Sequence, residues 1–377
     1  MTAAVSLLPS NATPFEHAVS LATDVIPRVE AGVALIKGGK YGSIHQADVI
    51  PAMIAELGLG EISRFFEDPE ELIQQGVRWQ RIRGTPQAVD QALAWVNYQA
   101  ELEEEPVRHD RWHLVQLALT RLRDAEVPDL ADIAETAQLS VPLRSHVARG
   151  FHGHDVRAAE LDYSILGNCI LGDHSGYRFA TRGVQWSFGR DHVFDLQPSQ
   201  SQLTALGAWQ PLAGTAISWG NFTWAETSLT WDDPAAAARR LLIIVALRSR
   251  SVWLQFSGAG GIIGLQRARV IKGVNPDIAG PYMFGGINYS ESLTSPEVLL
   301  IDAITDFGSG NGETVTALDL VFDSNIVDPL TPGIDWISGA DAATLLTAGT
   351  SLSLGPLPTS FELGKTVRDR CTVRLTF

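Results

Sequence analysis

Cysteine is nearly missing from the chain: Cys169 and Cys371 are the only two in 377 residues. Two cysteines so far apart exclude a disulfide framework and match no zinc spacing, so both are expected to be reduced and buried. Long apolar runs are missing as well. The most continuous, Leu241 to Leu247, lies between Arg240 and Arg248 and is far short of the roughly 20 residues that cross a bilayer. Positive charge is scarce, with 28 Lys+Arg against 43 Asp+Glu and a net charge of −15. Binding to nucleic acid draws on basic surface that releases counterions from phosphates, and adsorption to an anionic membrane draws on Lys/Arg clusters. Neither is an expected partner. Met1 to Pro9 has no cationic segment ahead of a long apolar core, so no signal peptide is expected and synthesis and assembly in the cytoplasm follow.

The motifs of common chemistries are also absent. No complete phosphate-binding loop occurs, since Thr359 stands where the first glycine would precede Gly364-Lys365-Thr366, and there is no Gly-x-Ser-x-Gly elbow. Gly258-Ala259-Gly260-Gly261-Ile262-Ile263-Gly264 is glycine-rich, but a dinucleotide fingerprint in that register requires glycine where Ile263 stands, so a turn between strands is expected. His109 and His113 would lie about 13 Å apart on a strand rising roughly 3.3 Å per residue, too far to share an ion. His152-Gly153-His154-Asp155 has the composition of a turn. The sequence therefore predicts no catalytic residue, no cofactor, no metal, and no hydrolase or metal-dependent activity.

What the chain does have is core material, with 45% apolar residues against 19% charged. Its length predicts two or three folding units. Only nine of its 34 glycines and three of its ten tryptophans fall in residues 1–150, so the two parts are built differently. The first part is helical. Thr13-Pro14-Phe15-Glu16 carries an N-cap, a proline at N1 and a capping-box acid, followed by Ala18, Val19 and Ala22 at helical spacing and, past Pro27, by Val29, Val33 and Ile36 up to Gly38-Gly39. A short helix spans Val49–Leu57 and stops at Gly58. Asp68-Pro69-Glu70-Glu71 opens another helix, Gly84 ends it, and Thr85-Pro86 starts the next at once, so this pair must pack at an angle. Glu101 to Glu105 followed by Pro106 reads as a solvated acidic linker.

Beyond that run, Arg111 to Leu119 reads as a strand buried on both faces, Pro128 to Gln138 as a short helix and Val141 to Val147 as a strand. From about residue 159 short apolar runs alternate with Gly, Ser, Asn and Asp, a strand-and-turn pattern. Ser251–Phe256, Ala268–Ile271, Val298–Ile301, Ala317–Phe322 and Cys371–Phe377 are the clearest strands of the C-terminal part. The expected fold is α+β: an N-terminal helical domain over 1–105, a small β-α-β insert over 106–158, a Gly/Trp-rich connecting β region over 159–235, and an antiparallel β-sandwich-like domain over 236–377. Trp209, Trp219, Trp224 and Trp231 fit three settings, a β core, a protein interface or a glycan platform.

The N-terminal text resembles a known family. Ser6-Leu7-Leu8-Pro9-Ser10-Asn11-Ala12-Thr13-Pro14-Phe15-Glu16, Pro51-Ala52-Met53-Ile54-Ala55-Glu56-Leu57-Gly58-Leu59 and Arg81-Ile82-Arg83-Gly84-Thr85-Pro86-Gln87-Ala88-Val89 resemble the phage tail protein I family, and Leu139 to Asp155 looks like the end of its shared region. The resemblance covers about residues 5–158. It implies a structural wedge component of a contractile-tail baseplate, placed in the virion tail. The implied partners are a baseplate J-like wedge protein, neighbouring wedges and a tail fibre. Arg81 and Arg83 by the family's turn, with Trp186, Trp219 and Trp224 further on, are the candidate interface residues. A tail-associated protein that binds or hydrolyses glycans is the alternative, suggested by the tryptophans and the β-rich second half.

Overall fold

The computed structural model describes residues 8–9, 11–25, 29, 47–104, 113–158, 169–170, 174–181, 183–199, 201–202, 251–292, 296–323, 335–342 and 352–376. The chain divides into two compact units, residues 1–99 with 131–146 and residues 100–130 with 147–377.

The first unit is helical. Its elements are α1 (Pro14–Ala22), α2 (Ile50–Glu56), a 3-10 turn (Gly60–Phe65), α3 (Pro69–Ile82), α4 (Pro86–Trp95) and most of α5 (Asp129–Ser140). The three predicted caps are present. The Thr13 hydroxyl accepts from the Glu16 amide, the Asp68 carboxylate from the Glu70 amide and the Thr85 hydroxyl from the Ala88 amide, each with proline in the first turn. Gly84 joins α3 to α4 at φ +90°, where a side chain would strain the backbone, and its amide donates to Ser140 O at 2.8 Å. The core gathers Leu59, Ile62, Leu72, Trp79, Ala88 and Ala92. Trp79 is held in it by Nε1 donating to Ser140 Oγ at 2.9 Å, which satisfies a donor that would otherwise be costly to bury.

The second unit holds the strands β1 (Ala100–Glu104), β2 (Leu114–Leu119), β3 (His146–His152), β4 (Arg157–Ala158), β5 (Cys169–Ile170), β6 (Tyr177–Arg178), β7 (Gln185–Leu196), β8 (Ser251–Gly258) and β9 (Gly261–Arg267). They continue as β10 (Val270–Pro276), β11 (Tyr282–Phe284), β12 (Ile287–Glu291), β13 (Val298–Ile304), β14 (Thr314–Asp323), β15 (Trp336–Ser338), β16 (Leu352–Ser353), β17 (Leu357–Glu362) and β18 (Val367–Thr376). A ten-stranded sheet runs β1-β2-β3-β7-β18-β13-β10-β12-β11 with β6 against β7, and a six-stranded sheet runs β15-β9-β8-β14-β16 with β17 against β14.

The two sheets share one core. Alternate residues of β8 (Val252, Leu254, Phe256), β13 (Leu299, Ile301, Ala303) and β18 (Cys371, Val373, Leu375) meet Leu318, Leu320 and Phe322 of β14 there, the inward period of two that a sandwich needs. On β14 a register shift between Val315 and Ala317 lets odd-numbered Val315 and even-numbered Leu318 both point inward. Cys371 is a free thiol within this core, and burial pushes its pKa well up. Gly258 pairs with Gly261 across the β8-β9 hairpin, the turn expected of that glycine-rich run.

Four sequence expectations change. The larger sheet is mixed rather than antiparallel, because β7 pairs in parallel with both β3 and β18. A parallel pair needs a crossover, and residues 197–366, with most of the sandwich, form the one between β7 and β18. The β-α-β segment is present as β2, α5 and β3, but its strands extend the ten-stranded sheet instead of enclosing a core of their own. Glu101 to Glu104 form the edge strand β1 paired with β2. Such a charged edge resists pairing with other chains. The strand expected at Val141–Val147 begins at His146, because Val141 N–H still bonds Ala137 O and Ser145 N–H turns back to Pro142 O. The Gly/Trp-rich region 159–235 and the run Leu241–Leu247 lie mostly or wholly outside the described residues.

Asp319 on β14 accepts from the Ser353 hydroxyl while its Oδ1 is buried without a partner. Burial is the largest influence and pushes its pKa above the ordinary carboxylate value. The folded state thus holds this proton more tightly than the unfolded chain. The stabilising contribution is complete below the unfolded pKa and is lost as pH rises through the raised folded one. Asp319→Asn should remove this pH dependence and leave the urea midpoint at neutral pH no lower than that of the parent. A lowered midpoint with an unchanged pH slope would contradict the assignment.

Candidate interaction surfaces

The described residues hold no cluster of three or more His, Cys, Asp or Glu able to bind a metal ion. His152 Nδ1 is 2.8 Å from Leu119 O, which ties β3 to the end of β2. His154 Nδ1 is 3.6 Å from Asp191, and that contact lowers the Asp191 pKa. Asp155 serves Arg149, which is 1% exposed and bonds Asp155 Oδ1 and Ser175 O. The Ser175 and Ser187 hydroxyls donate to the same carboxylate oxygen at 2.9 and 3.2 Å. This cluster is a buried polar support under β3 and β7. His109, the partner considered for His113, lies outside the described residues.

The five candidate interface residues separate. Trp186 is withdrawn from that role: it is 3% exposed, stacks on Phe188 at 6.0 Å and fills the space over Gly150, where a Cβ would come within 2.3 Å of its ring. Its alternation with Phe188 on β7 is the signature of a core face. Arg83 is exposed but already engaged, its Nε donating to Leu139 O at 2.7 Å and its guanidinium lying 5.1 Å from the Trp79 ring centroid. Arg81, in the last turn of α3, is exposed and has no ion-pair partner among the described residues. Trp219 and Trp224 lie outside the described residues, as do Trp209 and Trp231.

Two surfaces of the helical unit remain open. On α1 the capping box is complete, with Glu16 Oε2 accepting from Thr13 N–H at 2.7 Å and the same bonds holding the Glu16 pKa down. None of its residues is buried. Phe15 is 77% exposed, with Val19 and Leu21 exposed beside it. A nine-residue helix is marginal in water by itself, and this one shows an apolar side with no described partner.

The second surface is a groove of about 430 Å³ between the 3-10 turn and the α3-α4 pair. Glu71 and Gln75 on α3, and Gln91 and Trp95 on α4, are each four apart and so share a helix face. The Gln91 amide donates to Gln75 O and Oε1 at 3.3 and 3.2 Å. Half-buried Phe66 and Trp95 meet at 5.0 Å with rings tilted by 60°, and Glu67 and Glu71 stand exposed at the lip. Sequence reasoning missed this groove, although the two i, i+4 pairs were available as a signal.

Residues 8–144 match the family described as phage tail protein (Tail_P2_I), across the described helices of the first unit and into β1 and β2. Over those residues the chain is similar to the phage tail protein I family. No curated protein matches the chain. This match supports a structural part in a phage tail and a place in the virion tail, and it favours a non-enzymatic role. No helix among the described residues is long and apolar enough to cross a membrane.

Proposed function

We propose that this tail protein is a wedge component of a contractile-tail baseplate, binding a baseplate J-like protein through its N-terminal region while the β-sandwich faces a neighbouring wedge or a fibre. The observation that carries this reading is α1, which lies in the family region and leaves Phe15, Val19 and Leu21 in solvent. A structural protein repeated around a tail axis buries such side chains on assembly. An obligate contact of this kind buries more than about 2,000 Å² in total, and an aromatic at its centre carries a large share of the affinity. Arg81 is the further side chain free to join it.

The test is co-expression with a baseplate J-like protein, followed by sizing chromatography. The parent chain should elute with its partner, and Phe15→Asp should elute alone at micromolar concentration with an unchanged circular dichroism spectrum. A parent chain that stays monomeric with the partner present, together with normal virion assembly after deletion of residues 1–158, would end the proposal.

A further inference from the structure

We infer that the groove between the 3-10 turn and the α3-α4 pair is a receptor for an arginine side chain carried by an extended, basic segment of another tail protein. Its floor is aromatic, with Phe66 and Trp95 in contact and Trp79 edge-on to Trp95 at 5.7 Å. Its lip is acidic: Glu67 and Glu71 are exposed and make no hydrogen bond or ion pair among the described residues. Within Glu67 to Glu71 four of five residues are acidic and none is basic. Asp68 is committed to capping α3, which leaves Glu67 and Glu71 for a partner.

A planar, weakly hydrated cation suits this pairing of rings and carboxylates. A guanidinium stacks on an aromatic face and bonds a carboxylate through two N–H groups at once, whereas an ammonium is a strongly hydrated point charge. The chain already makes the same kind of contact beside the groove. Arg64 lies 4.6 Å from the Phe65 ring centroid while bonding Asp132 at 2.9 Å and Glu135 at 2.6 Å. The groove repeats that chemistry with the cation still to be supplied, and its 430 Å³ is within the range of specific ligand pockets. This surface is distinct from α1, so the two proposals can fail separately.

The test is calorimetric titration of the full chain with a hexa-arginine peptide, with hexalysine as comparison, at two salt concentrations. Hexa-arginine should bind more tightly than hexalysine. Glu67→Gln with Glu71→Gln, and separately Trp95→Leu, should each weaken binding about tenfold. Trp95→Phe should retain most of it, and Phe15→Asp should change nothing. Glu297→Gln with Glu313→Gln, two exposed carboxylates in the other unit, should shift the affinity less than about twofold. Equal loss in this control pair would show general attraction to a chain of net charge −15 and overturn the assignment. So would unaltered binding in both Trp95→Leu and the Glu67/Glu71 pair.

Discussion

Leu93→Asp should unfold the helical unit while the β-sandwich keeps its structure. Leu93 is 0% exposed on α4, beside Ala88, Val89 and Ala92 on the buried face of that helix. A carboxylate there would replace a fully buried apolar side chain, and an unpaired charge forced into an apolar site costs several kcal/mol, a large part of the stability of a unit this size. Pro86→Ala is the contrast. Pro86 stands at N1, where its missing N–H costs nothing, and the Thr85 cap is kept, so a change below about 1 kcal/mol is expected. Hydrogen exchange read by mass spectrometry checks both. Peptides from 69–95 should lose protection in Leu93→Asp alone, and peptides from 252–256 should stay protected in both variants. Equal protection of 69–95 in the two variants would contradict the core assignment.

The second large effect is expected at Asp155. Arg149 is closed off from water, its Nε and Nη1 find no partner, and Asp155 is the one carboxylate it bonds among the described residues. Asp155→Ala leaves a cation buried without compensation, which costs about 3–5 kcal/mol. Removing both charges is a different perturbation: Arg149→Met with Asp155→Leu should recover most of the loss, because a buried ion pair is worth little more than well-packed apolar groups of similar volume. Urea unfolding of the sandwich, followed by near-ultraviolet circular dichroism, compares the three chains. A double variant no more stable than Asp155→Ala would mean that the serine network, rather than the charge pair, dominates.

Local rules carried much of the fold into the sequence. Thr13, Asp68 and Thr85 announced their helices because a cap is a contact within three residues, and Gly84 announced the angle between two of them because only glycine is at ease at that φ. Sheet partnership was not legible. Nothing within a few residues of Gln185 says that β7 will lie parallel to β3 and β18, since both neighbours are far away in the chain. Glu101 to Glu104 look like a linker by charge alone, and they become a strand only because β2 offers its edge. The same limit hid the groove: Glu71, Gln75, Gln91 and Trp95 are ordinary helix residues until α3 and α4 lie side by side. Trp186 misled in the opposite direction, because an aromatic that could anchor a partner is also the side chain that best fills the space over Gly150.

The place of β18 in the larger sheet has a consequence for biogenesis. It lies between β7 and β13 and pairs with both, yet it follows every other described strand in the chain. A ribosome that has delivered residues 1–366 has therefore made two strands whose shared neighbour does not yet exist, each showing a row of unsatisfied backbone groups. Open edges of that kind recruit foreign strands, and pairings over long sequence separations form slowly. The helical unit, built from near neighbours, can fold during this interval, while the sandwich closes only when its central strand arrives.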